Sequence, residues 1–404
     1  MSAASNISIE DFVAEAKKFL DEVATPRAAD DAWGMGSDQL SGYKAIKPAD
    51  EKAKLAEARK WKALEYDRGF GWITGDPNLG GRGLSHEHER AYLDLRARYD
   101  IAPQNPFVIS LGMVAPSFEL FGSEEVRALV PQLWRGDLIG CQLFSEPGNG
   151  SDLAGLTTKA IRDGDSWIIE GQKVWTSGAH HSEWGLLMTR SNPDAPKHAG
   201  LTAFAVDMKS PGVEVRPLVM MTGGTEFNEV FFDSVRIPDS NRLGDVDKGW
   251  NTAISVLMNE RALGSSGSDL FGVFRALERL RLTIEHVGAS GDPVVRNEFA
   301  RLYSMAATIR YQGQAADERR KAGLPPGPAE SVFKLANTET LRGITKLATR
   351  LCGMSAMSDT GEWGMYAWGE LNATVPGMRI AGGTDEVMRN ILSERVLGLP
   401  KDPA

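Results

Sequence analysis

The hydrophobic repeat of the chain changes twice, and this change restricts the fold more than any other feature of the sequence. Residues 1–138 and 244–404 carry long helical patterns, whereas residues 139–243 hold short β-rich runs separated by turn signals. A fold that alternates helices with parallel strands would show a different order. The sequence therefore predicts an α+β chain of three domains, helical at the N-terminus, β in the middle and helical again at the C-terminus.

Local signals mark the ends of individual elements. The amphipathic segment after Ser8 predicts a helix capped by that residue, and it lacks the continuous apolar stretch of a signal peptide. Asp163, Gly164 and Asp165 separate two β-rich runs and predict a hairpin turn. Four further strands are expected from the runs "WGLLMTR", "LTAFAVDM", "VEVRPLVM" and "NEVFFDSVRIP".

Composition and charge exclude several classes of protein. The chain has 404 residues, of which 42% are hydrophobic and 25% charged, and its net charge of −9 argues against nucleic-acid binding. No apolar run approaches the roughly 18 residues that a membrane span needs, so we expect no span, and the two scattered cysteines favour a reducing, cytoplasmic location. Cys141 and Cys352 lie far apart, and His180 and His181 belong to no His-x-x-x-His pair. We therefore expect no metal site.

Three segments combine glycine with hydroxyl-bearing or acidic side chains, a composition typical of ligand-binding loops. They are Cys141–Gly155 ("CQLFSEPGNGSDLAG"), Gly171–Ala179 ("GQKVWTSGA") and Arg379–Asn390 ("RIAGGTDEVMRN"). Each also has a purely structural explanation. The first would be a tight turn, the second would contribute Trp175 to the core, and the third would start a helix at Thr384.

In this order and spacing, the three segments resemble the acyl-CoA dehydrogenase family. The segments "GGRGLS", "FNEVFFDSVRIP" and "ERVLGLP" extend the resemblance over nearly the whole chain. It implies an N-terminal all-α domain (1–138), a middle β-barrel or sandwich domain (139–243) and a C-terminal four-helix bundle (244–404). It also implies an enzyme of lipid and fatty acid metabolism that uses FAD to convert an acyl-CoA to the trans-2-enoyl-CoA. The electrons would pass to an electron-transfer flavoprotein.

The resemblance also implies roles for individual residues. Those expected to contact FAD are Gln142, Phe144, Ser145, Trp175, Thr176, Ser177, Gly353, Thr384 and Glu386. Those expected to contact the acyl-CoA are Ser151, Arg261 and Gly383. Among the first group, Ser177 would lie near N5 of the flavin, the atom that receives hydride.

The position of the catalytic base departs from the commonest pattern of the family. Many members carry a glutamate where this chain has Gly382. The bacterial FadE-like subgroup instead places the base directly before an arginine, on the first helix of the C-terminal bundle. Glu260 and Arg261 match that second arrangement, which makes Glu260 the candidate base. The alternative is a solvated Glu–Arg pair on a helix surface.

A second departure concerns the subunit assembly. Most members carry an Arg-Lys-x-Phe-Gly motif that reaches the FAD of a partner subunit. This chain has "GASGDPVVRNEF" there, with Arg296 at a different spacing. The family resemblance implies a homotetramer or dimer, and a heteromer of unlike chains stays open. A flavin monooxygenase or oxidase on the same fold is the alternative activity.

Overall fold

The computed structural model describes residues 7–28, 32–41, 43, 46–265, 272–324 and 327–401, without the side chains of residues 48, 260–265 and 320. Its contacts divide the chain into two compact units. Unit 1 comprises Met1–Ala28, Ile46–Leu218 and Thr225–Val256. Unit 2 comprises Ala29–Ala45, Val219–Gly224 and Leu257–Ala404.

Helix α1 (Ile9–Val23) opens unit 1 as the sequence predicts. The Ser8 hydroxyl accepts a hydrogen bond of 3.1 Å from the amide of Asp11 and so caps the helix. The buried side chains follow the helical repeat, and they are Phe12, Ala16, Phe19 and Leu20. The prediction of an amphipathic helix capped by Ser8 is confirmed.

Further helices precede the main strands of unit 1. They are α2 (Pro48–Asp67), α3 (His86–Arg96), α4 (Ala115–Phe121), α5 (Glu124–Arg127) and α6 (Val130–Arg135). A π-helical turn, Ser110–Val114, leads directly into α4. Helix α2 begins with proline, whose fixed φ angle and missing amide hydrogen suit the first helical position. Helix α1 packs against α3, and α2 packs against α6.

Two sets of strands complete unit 1. Strands β1 (Thr25–Pro26) and β2 (Tyr99–Asp100) form a short antiparallel pair. The larger sheet contains β3 (Gly140–Leu143), β4 (Lys159–Asp163), β5 (Ser166–Ser177), β6 (Trp184–Arg190), β7 (Leu201–Asp207), β8 (Val213–Pro217), β9 (Phe227–Pro238) and β10 (Arg242–Leu243). Its hydrogen-bonded order is β10-β7-β6-β4-β5-β9-β8, and β3 adds a parallel pairing to β6.

The larger sheet is mostly antiparallel, in agreement with the pattern of short runs. Asp163 pairs with Ser166 across a two-residue turn in which Gly164 has a φ angle of +61°, so the predicted hairpin is confirmed. Strands β6 to β9 lie in the four other runs that predicted strands. Helices before the sheet and helices after it confirm the predicted α+β class.

The helices after the sheet are α7 (Gly249–Ser265), α8 (Val273–His286), α9 (Pro293–Lys321), α10 (Ser331–Cys352), α11 (Ala367–Ile380) and α12 (Asp385–Arg395). Helix α10 packs against α8, α9, α11 and α12 and therefore forms the centre of unit 2. Trp368 is fully buried there, and its indole nitrogen donates a 3.0 Å hydrogen bond to the hydroxyl of Thr283. Within the described part of the chain, no helix is both long enough and apolar enough to cross a membrane.

Candidate functional site

The indole of Trp175 stands out of the sheet in a backbone conformation that strands do not normally adopt. Its φ angle is +61°, and the pairing of β5 with β9 is irregular between Lys173 and Thr176. This β-bulge turns the side chain outward, so that Trp175 is 62% exposed while Lys173 and Thr176 are buried. A non-glycine residue at positive φ costs roughly 1–3 kcal/mol and persists where its surroundings enforce it. Trp175 is therefore not a core residue.

A buried ion pair holds the strand just before this bulge. Lys173 is fully buried, and its Nζ donates to a carboxylate oxygen of Glu146 at 2.8 Å and to the carbonyl oxygen of Phe144 at 3.1 Å. The Glu146 carboxylate also accepts hydrogen bonds from the amides of Thr157 and Thr158, at 2.7 and 2.8 Å. These contacts fix the loop after β3 against β5.

Both members of this pair are charged near neutral pH. Burial by itself would raise the pKa of Glu146, but Lys173 and Thr158 outweigh it and lower the pKa to about 2. Burial lowers the pKa of Lys173 to about 8, and Glu146 limits the shift. The sequence motifs contain both residues, yet sequence reasoning assigned them no role. The available signal was an acidic residue, Glu146, in the first motif and a basic residue, Lys173, in the second.

The loop after β3 runs alongside the bulged strand. The carbonyl oxygen of Ser145 accepts a 2.9 Å hydrogen bond from the amide of Val174, the residue before Trp175. The structure therefore brings two predicted FAD contacts, Ser145 and Trp175, into neighbouring segments of the chain.

The remaining predicted contacts in unit 1 differ in exposure. Gln142 lies on β3 and is half-buried, whereas Phe144 is 5% exposed. Ser177 is half-buried at the end of β5, where it pairs with Phe227. Ser151, predicted to contact the acyl-CoA, is exposed in the loop that follows β3.

Thr176 presents a buried hydroxyl next to the exposed indole. Its Oγ1 has no hydrogen-bond partner among the described residues, while its carbonyl oxygen accepts a 3.0 Å bond from the amide nitrogen of the Asn228 side chain. Oδ1 of Asn228 is likewise buried and unpartnered within that part of the chain. Buried polar atoms normally have partners, so two orphaned atoms on paired residues of β5 and β9 fit a bound polar group. With the flat exposed face of Trp175 beside them, these residues fit FAD.

In unit 2, two glycines and a threonine shape the start of α12. Gly382 and Gly383 have φ angles of +69° and +89°, the region that favours glycine. A Cβ atom on Gly383 would lie 2.6 Å from Cε of Met388, so the chain passes close to that side chain. The hydroxyl of Thr384 accepts a 3.1 Å hydrogen bond from the amide of Val387. This cap confirms the helix start predicted at Thr384.

Asp385 anchors the start of α12 and is poorly suited to accept a proton. Its carboxylate, in a residue that is 2% exposed, accepts hydrogen bonds from Nε of Arg379 at 2.6 Å, Nζ of Lys334 at 3.2 Å and the hydroxyl of Thr338 at 3.2 Å. Burial would raise the pKa of Asp385, but Arg379 and Lys334 outweigh it and lower the pKa below its ordinary value. A carboxylate so stabilised is a weak general base.

The other predicted residues of unit 2 are less constrained. The Glu386 side chain is 75% exposed and lies beside Arg389. Gly353 ends α10 with a φ angle of +55°, and a Cβ atom there would meet no described atom within 4 Å. Glu260 and Arg261 belong to α7, but their side chains lie outside the described residues. The assignment of Glu260 as the base therefore stays a prediction.

Comparison with known proteins identifies the family. The model of the acyl-CoA dehydrogenase middle domain matches residues 141–235, and the model of the C-terminal domain matches residues 247–397. Acyl-CoA dehydrogenase IpdE1 of Mycobacterium tuberculosis is 35% identical over 376 residues, which cover 91% of this chain and 96% of that protein.

Two solved structures share the fold over their whole length. One is the Tcur3481-Tcur3483 steroid ACAD, whose matched chain is 25% identical to this one with a TM-score of 0.76. That match covers 98% of this chain and 98% of the matched chain. The other is the ChsE4-ChsE5 complex from Mycobacterium tuberculosis, whose matched chain is 25% identical to this one with a TM-score of 0.75. That match covers 100% of this chain and 100% of the matched chain.

The helical, β and helical regions and these matches together define an oxidoreductase. The chain belongs to the acyl-CoA dehydrogenase family. The resemblance that the sequence motifs indicated is thereby confirmed.

Proposed function

We propose that this protein binds FAD and dehydrogenates an acyl-CoA thioester between its α and β carbons, giving the trans-2-enoyl-CoA. We further propose that an electron-transfer flavoprotein accepts the electrons. The observation that carries the proposal is the surface around Trp175. There the exposed indole of Trp175, in a residue with a positive φ angle, adjoins the buried hydroxyl of Thr176. That hydroxyl has no hydrogen-bond partner among the described residues. Family membership supports the reaction type.

Nine residues would hold FAD. They are Gln142, Phe144, Ser145, Trp175, Thr176, Ser177, Gly353, Thr384 and Glu386. FAD, when bound, supplies the two-electron acceptor that amino-acid side chains lack. The contribution of the chain is orientation, because Trp175 offers a flat apolar face and the pair of Glu146 and Lys173 fixes the loop beside it.

Glu260 would remove the proton. The α-carbon proton of a thioester is weakly acidic, so its transfer requires a positioned base. The Glu260 carboxylate would accept that proton, while Ser151, Arg261 and Gly383 would hold the acyl-CoA. Asp385 is a poor substitute, because its carboxylate is already stabilised by three donors.

A bulky, ring-containing acyl group is the substrate class that we propose. One structural relative at 25% identity is named a steroid ACAD, and the match covers 98% of this chain and 98% of the matched chain. Gly382 supports the same inference from this chain, because it stands where many family members carry a glutamate side chain. The absence of that side chain leaves more room for the acyl group.

A second candidate is that this chain works as one subunit of a heteromer. The ChsE4-ChsE5 structure, at 25% identity, is a complex of two named chains. The segment "GASGDPVVRNEF" lacks the Arg-Lys-x-Phe motif that implies a FAD contact from a partner subunit. If this candidate holds, the protein purified alone will be colourless and will become yellow when it is produced with its partner chain.

Turnover measured without oxygen tests the proposed reaction. The purified yellow protein is incubated with a panel of straight-chain, branched and steroid-derived acyl-CoA thioesters, with an artificial electron acceptor or an electron-transfer flavoprotein. We expect enoyl-CoA product, and the highest kcat/KM with the steroid-derived thioesters. Substrate-dependent oxygen consumption with no anaerobic turnover would contradict the proposal and favour an oxidase or monooxygenase. A preference for short straight chains would contradict only the substrate class.

Trp175→Ala is expected to weaken FAD binding about tenfold or more while folding stability hardly changes. Stacking of a flat ring on an aromatic side chain contributes roughly 1–3 kcal/mol by analogy with nucleobases, whereas truncation of an exposed side chain typically changes stability by about 0.5 kcal/mol or less. FAD affinity is measured by titration after removal of the cofactor, and stability by urea denaturation. Tyr303→Ala is the matched control, because Tyr303 is an exposed aromatic residue on α9. Equal FAD affinity in both variants would exclude a contact between Trp175 and the flavin.

A further inference from the structure

Three side chains with typical metal-binding atoms meet outside the residues assigned to FAD and acyl-CoA. Glu51 lies in the first turn of α2, and His180 and His181 lie in a 3₁₀ turn just after β5. Nε2 of His180 is 3.2 Å from Oε1 of Glu51, and Nε2 of His181 is 3.0 Å from the same oxygen. The two imidazole rings have centroids 3.8 Å apart, so adjacent residues present both rings to one carboxylate.

The spacing of these atoms matches the coordination shell of a small divalent ion. Zinc bonds to histidine nitrogen and carboxylate oxygen are about 2.0–2.1 Å long, which places neighbouring ligands of a tetrahedral site about 3.3 Å apart. The Glu51 oxygen already lies at nearly this distance from both nitrogens, and the three ligand atoms all lie within 4.8 Å of one another. Two histidines and one carboxylate also form a recognised zinc ligand set that leaves a fourth position for water.

The cluster is largely shielded from solvent, unlike a solvated surface pair. The side chains of His180, His181 and Glu51 are only 17%, 20% and 25% exposed. Such shielding from water strengthens the attraction between a cation and the Glu51 carboxylate.

We propose that Glu51, His180 and His181 bind a divalent transition-metal ion, with Zn²⁺ as the best fit to their geometry. The ion would connect the first turn of α2 to the end of β5, three residues beyond Ser177. Its role would be to hold the helical part of unit 1 against the strand that carries the proposed flavin contacts. This site goes beyond the dehydrogenation proposed above and does not depend on it.

Hydrogen bonds without a metal ion would also account for the distances between Glu51 and the two histidines. Each imidazole would donate a hydrogen bond to Glu51, and the cluster would be a structural contact with no affinity for metals. The two explanations differ in one measurable property, which is saturable Zn²⁺ binding that requires all three side chains.

Zn²⁺ titration of the intact purified protein tests the proposal. The protein is first dialysed against a chelator, and Zn²⁺ is then added in an isothermal titration calorimeter in the presence of excess Mg²⁺. We expect one Zn²⁺ per chain, and a melting temperature that rises with Zn²⁺ concentration. Glu51→Gln and His181→Gln are expected to weaken binding at least about tenfold, since even loss of an outer contact to a metal ligand costs 10–100-fold. A crystal soaked in Zn²⁺ should show an anomalous peak between the three side chains.

His86→Gln is the matched control. Nδ1 of His86 lies 3.2 Å from Oε2 of Glu89, so this exposed pair resembles the cluster but lacks a second histidine. Its replacement is expected to leave Zn²⁺ binding unchanged. The proposal is overturned if the wild-type protein shows no saturable binding at millimolar Zn²⁺, or if Glu51→Gln and His181→Gln bind as tightly as the control. If either variant fails to fold, the anomalous peak in the wild-type crystal decides between the two explanations.

Discussion

Glu260→Gln is expected to reduce turnover at least about a hundredfold while FAD and acyl-CoA binding remain. Glutamine has nearly the shape of glutamate and can still hydrogen-bond, but it cannot accept the α-proton at neutral pH. General-base catalysis typically contributes about 10²–10⁴-fold, which sets the size of the expected loss. Turnover is measured with an artificial electron acceptor, FAD content by absorbance and acyl-CoA binding by calorimetry.

Two further variants separate a catalytic role from a structural one. Glu278→Gln is the matched control, because Glu278 is another helical glutamate of unit 2 and its half-exposed carboxylate pairs with Arg281. It should leave turnover unchanged. Asp385→Asn should lower the melting temperature, because it weakens the contacts to Arg379 and Lys334. Near-normal turnover in Glu260→Gln would eliminate Glu260 as the base.

Lys173→Met is expected to destabilise the protein by about 3–5 kcal/mol and to lower its FAD content. The substitution leaves the Glu146 carboxylate buried without its charged partner, the situation in which breaking a buried ion pair is most costly. Because the same pair fixes the loop after β3 against β5, the surface around Trp175 should lose its order. Urea denaturation and the flavin absorbance of the purified variant measure the two effects.

The same ion pair predicts how stability depends on pH. The pKa of Glu146 falls from an ordinary value of 4.5 to about 2 in the folded protein. A carboxyl with a depressed folded pKa contributes stability that is fully present above its unfolded pKa and is lost as the pH falls toward the folded value. The contribution of Glu146 should therefore disappear between about pH 5 and pH 2 in the wild-type protein.

Two comparisons test the interpretation of Lys173→Met. Lys197→Met is the matched control, because Lys197 forms an ion pair with Asp152 in which both side chains are about half exposed. Exposed pairs contribute about 0–1 kcal/mol, so this variant should remain close to wild type. The double variant Glu146→Gln, Lys173→Met removes both charges and should recover part of the lost stability. If Lys173→Met loses no more stability than Lys197→Met, the pair has no structural importance.

Local sequence patterns were sufficient to predict the elements and the family. The helix capped by Ser8, the hairpin at Gly164 and the helix start at Thr384 depend on residues a few positions apart, and all three were confirmed. The change of hydrophobic repeat predicted helices, then a sheet, then helices, because each element buries one face with a characteristic period. The motifs identified the acyl-CoA dehydrogenase family, which the comparisons confirmed.

The conformation of Trp175 could not be predicted in the same way. A regular strand would place Lys173, Trp175 and Ser177 on one face, so that burial of Lys173 would imply burial of Trp175. The β-bulge breaks this alternation, and it exists because β5 and β9 pair with different numbers of residues. That mismatch depends on both strands together and cannot be recognised from the sequence of either strand alone.

Long-range side-chain contacts were likewise decided by the tertiary structure alone. Glu146 and Lys173 are 27 residues apart, and Glu51 and His180 are 129 residues apart. The expectation of no metal site considered only ligands at short spacing along the chain, whereas the cluster joins the start of α2 to the turn after β5. The sequence by itself determined which elements form and to which family the chain belongs. Only the folded path of the chain decided which charged side chains meet, because their attraction depends on distance in space and on shared burial.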